Sequence, residues 1–212
     1  MRTQDLISAL AADTTPRGPP LRKSVLWAGL GAIVLAAMVM QGVLGTRGSF
    51  IASLADPRFL FKFLITGVLA SVAFRLALRS AEPQSWASAA PGLLLGPLLL
   101  LATGVVLELS FLPRALWMPR LVGQNWQQCL IYVPLISLAP LALVLTALRG
   151  GASASPTCTG LVAGIASGAL GAFFYAAHCP DDSPLFVAVW YMLGIGIMAC
   201  VGALLGRRLL RW

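Results

Sequence analysis

Two cysteines, one histidine and two aspartates carry the clearest capacity for chemistry in this chain. Cys179 lies in the run HCPDDSP at residues 178–184, and Cys129 follows the polar segment GQNWQQ. Two thiols with His178 and Asp181 or Asp182 offer the mixed S, N and O donors that soft and borderline metal ions accept.

Three interpretations of Cys129 and Cys179 remain open from the sequence. The pair can form a structural disulfide in an oxidising compartment, act as a redox or soft-metal sensor, or make no contact at all. The chain has no Cys-x-x-Cys and no His-x-x-His spacing. The choice therefore depends on how the surrounding elements pack.

The elements that must position these groups are apolar stretches, each close to 20 residues long. They run at roughly 24–45, 59–78, 90–110, 127–148, 158–178 and 186–206. A helix needs about 20 residues to cross a hydrocarbon core of roughly 30 Å. With 58% hydrophobic and 10% charged residues, the chain is predicted to be all-α, a polytopic bundle of six transmembrane helices, and not a water-soluble enzyme. The start lacks the pattern of a cleavable signal peptide, so the first span is expected to remain as an anchor.

The distribution of Lys and Arg predicts the orientation. If the N-terminus is inside, ten of the fifteen basic residues lie in cytoplasmic segments, as the positive-inside rule requires. Both termini are then cytoplasmic, and Cys129 and Cys179 both lie at the outer end of the bundle. This topology accounts for the net charge of +8 without direct nucleic-acid binding.

The first 22 residues are predicted to form a separate cytoplasmic segment before a six-helix domain at 23–212. Within it, residues 3–12 read as a short amphipathic helix, with Leu6, Ile7 and Leu10 on one face. Residues 13–20, DTTPRGPP, read as a Pro-rich linker. A helix this short is marginal alone in water, so it needs a partner surface.

Polar residues near the span ends suggest further roles. Lys62 is expected to snorkel to the lipid headgroups. Glu108 is costly in a span unless it reaches the membrane interface or a cation such as Lys62 or Arg114, and a structural pair is expected in preference to a transport site. Asp182 or Ser183 can cap the sixth helix, with a proline following.

Small residues dominate the fifth and sixth spans. Glycines recur every fourth position in the fifth span, which lets another helix approach closely; they are Gly160, Gly164 and Gly168. Cys158 and Cys200 lie in these same two spans and read as small apolar residues.

The sequence gives little support for an enzymatic function. The only histidine, His178, is 11 residues from Ser167 on the predicted fifth span, about 16 Å along a helix axis, so these two cannot form a nucleophile–base pair. A small-solute or metal transporter remains an alternative, although the middle of every span is apolar where transporters usually carry ionisable groups.

Several segments together resemble the NrsF family of bacterial inner-membrane proteins. They are TQDLISALAAD at 3–13, DPRF at 56–59, NWQQCL at 125–130, HCPDDSP at 178–184 and GRRLLRW at 206–212. The resemblance spans essentially the whole chain, and the HCPDDSP loop is its most specific part.

The resemblance implies a multi-pass inner-membrane anti-sigma factor that holds an extracytoplasmic-function sigma factor and releases it on envelope, metal or redox stress. Carried over to this chain, Cys129 and Cys179 are the sensing thiols, with a possible soft-metal site that includes His178. Leu6, Ile7 and Leu10 are the sigma-binding candidates. The inner loops are expected to share that contact through Arg75, Arg79 and Arg149.

Overall fold

The computed structural model describes residues 3–12, 20–81 and 91–210, and within these ranges the regular structure is entirely helical. The elements are α1 (Thr3–Ala12), α2 (Leu21–Val43), α3 (Phe50–Ser53), α4 (Pro57–Ser80), α5 (Leu95–Phe111), α6 (Trp117–Val122), α7 (Trp126–Leu148), α8 (Pro156–Tyr175), α9 (Pro184–Phe186) and α10 (Met192–Leu209). Short 3₁₀ turns precede α5 and α6, and a π-helical turn, Val187–Tyr191, joins α9 to α10.

Six of these helical segments are long and apolar enough to cross a membrane. They are Leu21–Val43, Pro57–Ser80, Gly92–Phe111, Trp126–Leu148, Pro156–Tyr175 and Pro184–Leu209. The predicted all-α class and six spans are confirmed, and this is a multi-pass membrane protein. The fifth span ends at Tyr175 instead of 178, so His178 belongs to the following loop and not to the helix of Ser167.

Helix α8 forms the centre of the bundle and α5 its periphery. More of α8 is buried than of any other span, and α5 is the most exposed. Helix α8 packs against α4, α7 and α10, while α2 packs mainly on α7. The exposed faces of the spans carry Leu, Ile, Val and Met side chains, which is the surface that a lipid environment favours.

The loops gather at two ends of the bundle. At one end, the Arg47 amide donates to the Ala177 carbonyl oxygen at 3.2 Å, which joins the loops 44–56 and 176–183. At the other end, the Ala152 amide donates to the Ala81 carbonyl oxygen at 2.9 Å. We call the first the thiol end and the second, where α2 begins and α10 finishes, the termini end.

Proline and a capping side chain start two of the spans. The Asp56 carboxylate accepts from the Arg58 amide at 2.9 Å, with Pro57 at the first position of α4. The Ser183 hydroxyl caps α9 in the same way, and Pro184 is the first residue of that helix. Of the two caps considered for the sixth span, Ser183 is therefore the one used, and Asp182 has other partners.

The glycines of α8 lie directly against the backbone of α10. A Cβ at Gly160 would collide with the carbonyl oxygen of Gly202, and one at Gly164 would collide with that of Met198. Gly168 faces Ile195 and Met198. Because no side chain separates the two helices here, their backbones approach closely.

Helix α1 is present at the predicted residues, Thr3–Ala12, and Ile7 is exposed. The side chains of Leu6 and Leu10 and nearly all of the predicted linker lie outside the described part of the chain.

Candidate functional site

Cys129 and Cys179 lie in one buried cluster at the thiol end. Cys129 is in the first turn of α7 and Cys179 is in the loop after α8, and neither side chain is exposed. The two are near enough to interact electrostatically, and both are free thiols. The structure thus places the two cysteines in one cluster without joining them in a disulfide.

Lys62 does not reach the lipid headgroups, contrary to the prediction. Its side chain is completely buried, and its ammonium group donates to the carbonyl oxygen of Cys179 at 2.7 Å and pairs with Asp182. A buried ammonium group is tolerated only when it is paired and hydrogen-bonded. Packing of the 176–183 loop over α4 supplies those partners.

Arg47 reinforces the same contacts from another loop. Its guanidinium donates to the Cys179 carbonyl oxygen at 3.2 Å and lies 3.0 Å from the Asp182 carboxylate. It also stacks 4.4 Å from the centre of the Phe59 ring. Two cations therefore hold the backbone of Cys179 and the neighbouring carboxylate in place.

Asp181 connects the cysteine loop to the start of α7. Its carboxylate accepts from the amides of Gln124 and Asn125, at 3.1 and 2.9 Å. The turn is made by Gly123, whose φ of 61° is a left-handed conformation that favours glycine. This anchor fixes the segment that leads into Cys129.

The groups predicted to assist a metal site have structural partners. His178 makes a 3.0 Å contact from Nδ1 to the Gly45 carbonyl oxygen, so Nδ1 is the protonated nitrogen. Within residues 3–12, 20–81 and 91–210, no cluster of three or more His, Cys, Asp or Glu residues could hold a metal ion. The soft-metal site with Cys129, Cys179 and His178 stays a prediction.

The charge state of Cys179 reflects opposing influences. Burial raises the pKa of the thiol above its ordinary value, while the Lys62 ammonium opposes that rise. Because burial dominates, the sulfur is protonated at neutral pH, and a protonated thiol is a poor nucleophile.

Two tyrosines that the sequence reasoning missed line the same cluster. Tyr175 and Tyr191 are fully buried, and their rings are 5.9 Å apart. Both hydroxyls are neighbours of the Cys179 sulfur. The sequence feature that could have indicated them is their position: they lie in otherwise apolar spans, one on each side of the HCPDDSP run.

Glu108 pairs with Arg58, at 2.8 Å, and not with Lys62 or Arg114. The expected structural ion pair is therefore present, with a cation other than the two given as examples. Arg58 stands one turn before Lys62 on α4, and the packing of α5 on α4 selects it.

A family model described as a negative regulator of sigma F, NrsF, matches residues 10–212. The chain belongs to the NrsF family. It is 34% identical over 218 residues to the anti-sigma-F factor NrsF of Caulobacter vibrioides (strain NA1000 / CB15N), with 100% of both chains covered. It is 31% identical over 217 residues to a probable anti-sigma-F factor NrsF of Azospira oryzae (strain ATCC BAA-33 / DSM 13638 / PS), again with 100% of both covered. No solved structure matches the chain.

In this NrsF member, Cys129 and Cys179 lie at the end of the bundle opposite to the start of α2. Helix α1, which carries Leu6, Ile7 and Leu10, precedes α2 in the chain. The basic side chains of Arg75 and Arg149 lie near the termini end and are exposed. The predicted sensing thiols and the predicted inner-loop contacts thus belong to different ends.

Proposed function

We propose that this chain is an inner-membrane anti-sigma factor that sequesters an extracytoplasmic-function sigma factor and releases it on envelope, metal or redox stress. The observation that carries the proposal is the NrsF match over residues 10–212, together with full-length similarity to two proteins named as anti-sigma-F factors. The fold supports it, since the bundle offers one end to each side of a membrane.

The sigma-binding element is α1 together with the inner loops. Ile7 on α1 is 56% exposed, and a ten-residue helix is too short to be stable alone in water. Binding to a sigma factor would bury this apolar face and stabilise the helix. The basic residues Arg75, Arg79 and Arg149 extend the contact surface along the membrane.

The thiol end is the sensing end. A two-electron oxidant such as a peroxide would join Cys129 and Cys179, with loss of two protons and transfer of two electrons to the oxidant. A soft metal ion would bridge the two sulfurs instead. Either change would pull on a loop that contacts three other segments, at Gly45, Lys62 and Asn125.

The central helices connect the thiol end of the bundle to the termini end. Helix α8 begins near the termini end, where the Thr159 hydroxyl donates to the Ser80 carbonyl oxygen at 3.2 Å, and it ends beside Cys179. A shift of α8 against α4 would alter both ends of the bundle. Two packing arrangements of differing stability, biased by the state of the sulfurs, are enough for such a switch.

Co-purification tests the proposal directly. The full chain, tagged at its C-terminus, is expected to retain a co-expressed sigma factor in detergent, and L6A/I7A/L10A is expected to release it. The matched control is Q4A/S8A on the same helix, which should keep binding. Failure of the native chain to retain any extracytoplasmic-function sigma factor of its genome would refute the proposal.

The sensing step and the orientation need separate tests. C129S and C179S should lose the rise in sigma-dependent transcription caused by cadmium or peroxide, whereas C200S should keep it. An impermeant thiol reagent, applied to cells with a cysteine placed in the thiol-end loop or in α1, should label only the former. Labelling of both from one side would exclude a signal relayed across the membrane.

A further inference from the structure

Residues 111–122, which we call the α6 segment, present apolar side chains outside the bundle at the thiol end. Phe111 is 84% exposed and Met118 is 65% exposed, and Leu116 and Val122 are exposed beside them. A contiguous apolar surface of this kind marks a contact with a membrane or with another protein. The charge and position of the segment decide between these two partners.

Two arginines stand among these apolar side chains. Arg114 and Arg120 are both exposed, and neither has a carboxylate partner among the residues that the structure describes. The other Lys and Arg side chains of the thiol end each pair with a carboxylate; they are Arg47, Arg58 and Lys62. The positive charge of the thiol end that is left without a carboxylate is therefore concentrated on the α6 segment.

The preceding span determines the depth of the α6 segment in the membrane. Gly92–Phe111 is the least buried of the six spans, so lipid surrounds most of α5. A segment that leaves such a span at its last residue enters the zone of the phospholipid headgroups. The partly buried ring of Trp117 agrees with this depth, because tryptophan is enriched where the membrane meets water.

Contacts with the bundle hold the α6 segment in place. The Trp117 indole nitrogen donates to the Leu112 carbonyl oxygen at 3.0 Å. The indole nitrogen of Trp190, in the π-helical turn, donates to the Leu121 carbonyl oxygen at 2.9 Å. The segment therefore presents its exposed side chains from a positioned backbone, which lowers the entropic cost of binding a ligand.

A groove of about 630 Å³ opens beside α6, a volume typical of small-ligand sites. Leu116, Met118 and Val122 contribute apolar surface to it, and Arg120 contributes a positive charge. Asp181 also borders the groove, but its carboxylate already accepts from two backbone amides. An amphiphile with an apolar chain and an anionic headgroup matches these features.

We propose that the α6 segment is a binding site for an anionic phospholipid in the leaflet at the thiol end. Arg114 and Arg120 bind the headgroup phosphate, while Phe111 and Met118 contact the acyl chains. The planar guanidinium group of arginine suits phosphate because it donates paired hydrogen bonds. Lipid is favoured over a protein partner because α5 places the segment at headgroup depth, where a lipid phosphate can neutralise both arginines.

Photo-crosslinking from position 118 identifies the molecule that contacts the groove. The full chain carries p-benzoylphenylalanine in place of Met118 and is reconstituted in nanodiscs of phosphatidylcholine and phosphatidylglycerol in a known ratio. Mass spectrometry of the cross-linked chain measures the amount of each lipid. We expect phosphatidylglycerol to be cross-linked in excess of its share of the bilayer.

The variant R114Q/R120Q should reduce this preference roughly 25-fold at low salt, because each arginine near an anionic surface changes the affinity about fivefold. R114K/R120K should keep most of the preference, since it keeps the charge. The matched control is R207Q/R208Q, which removes two exposed arginines near the termini end and should change nothing at position 118. An unchanged preference in R114Q/R120Q, or equal losses in the two glutamine variants, would overturn the proposal.

Salt gives a second result that requires no change to the arginines. The Debye length falls from about 30 Å at 0.01 M to about 3 Å at 1 M ionic strength, so the preference for phosphatidylglycerol should decline over this range. A preference that is absent or independent of salt would contradict the proposal. Cross-links to a second copy of the chain in place of lipid would do so as well, because the surface would then be a protein interface. These measurements involve neither a sigma factor nor the thiols, so their failure leaves the anti-sigma role standing.

Discussion

The Lys62 ammonium donates a 2.7 Å hydrogen bond to the main-chain carbonyl oxygen of Cys179, across 117 positions of sequence. Both side chains are fully buried. The contact holds the cysteine loop on α4 by its backbone and does not involve the sulfur. It also places a positive charge where a thiolate would need one.

Substitution K62M should destabilise the protein strongly. It leaves the largely buried Asp182 carboxylate with Arg47 as its remaining cationic partner among the described residues, and breaking a buried ion pair typically costs about 3–5 kcal/mol. Unfolding by denaturant in mixed micelles measures the change. The matched control is K23M, at an exposed position near the termini end, where a change below about 1 kcal/mol is expected. Equal effects from the two variants would show that the Lys62 contacts contribute nothing to stability.

Substitution D181A should free the segment that leads into α7. The carboxylate accepts from two backbone amides, and hydrogen bonds to a charged group contribute about 1.5–3 kcal/mol. Hydrogen exchange at Gln124 and Asn125 should therefore become roughly ten- to hundredfold faster.

The control for D181A removes another carboxylate that accepts from a backbone amide. D56A should accelerate exchange at Arg58, its hydrogen-bond donor, and leave Gln124 and Asn125 unaffected. If both aspartate variants accelerate exchange throughout the protein alike, Asp181 is not a local anchor.

Substitution G164A should separate α8 from α10. The added methyl group would collide with the backbone of Met198 and Ala199, and overpacking of this kind costs about 1–3 kcal/mol. G196A is the matched control on α10, because a Cβ there meets no atom within 4 Å. Alanine should stabilise that helix slightly, by roughly 0.5–1 kcal/mol. A thermal midpoint for G164A at or above that of G196A would contradict the close packing described here.

Alkaline pH should destabilise the protein in part through Cys179. Burial raises the pKa of this thiol in the folded state, whereas in the unfolded chain a cysteine ionises near pH 8.5. Above about pH 8.5 the unfolded chain releases a proton that the folded protein retains, so stability falls as pH rises. Unfolding free energies measured from pH 7 to 10 should decline less steeply for C179S than for the native chain. Identical slopes would remove Cys179 from the alkaline transition.

The sequence was sufficient for the spans because hydrophobic length is a local property. A run of about 20 apolar residues has one stable form in lipid, and Asp56-Pro57 and Ser183-Pro184 mark helix starts through contacts of a few residues. The NrsF resemblance was confirmed for the same reason, since it rests on segments that can be read one after another. Where the local signal is weak, as at the end of α8, the predicted boundary was three residues too long.

The partners of the polar residues were decided by tertiary structure alone. The phenylalanines beside Lys62 in the sequence suggested a lysine at the membrane interface. Its hydrogen-bond and ion-pair partners are instead Cys179 and Asp182. Glu108 pairs with Arg58. Nothing in the sequence indicated that Tyr175 and Tyr191 lie in the same buried cluster as Cys179. Each of these contacts joins positions far apart in the chain, and a buried charge takes whichever partner the packing of helices brings within hydrogen-bonding distance. Hydrophobicity determined the six membrane spans found among the described residues, and the packing of those spans determined which groups surround Cys129 and Cys179.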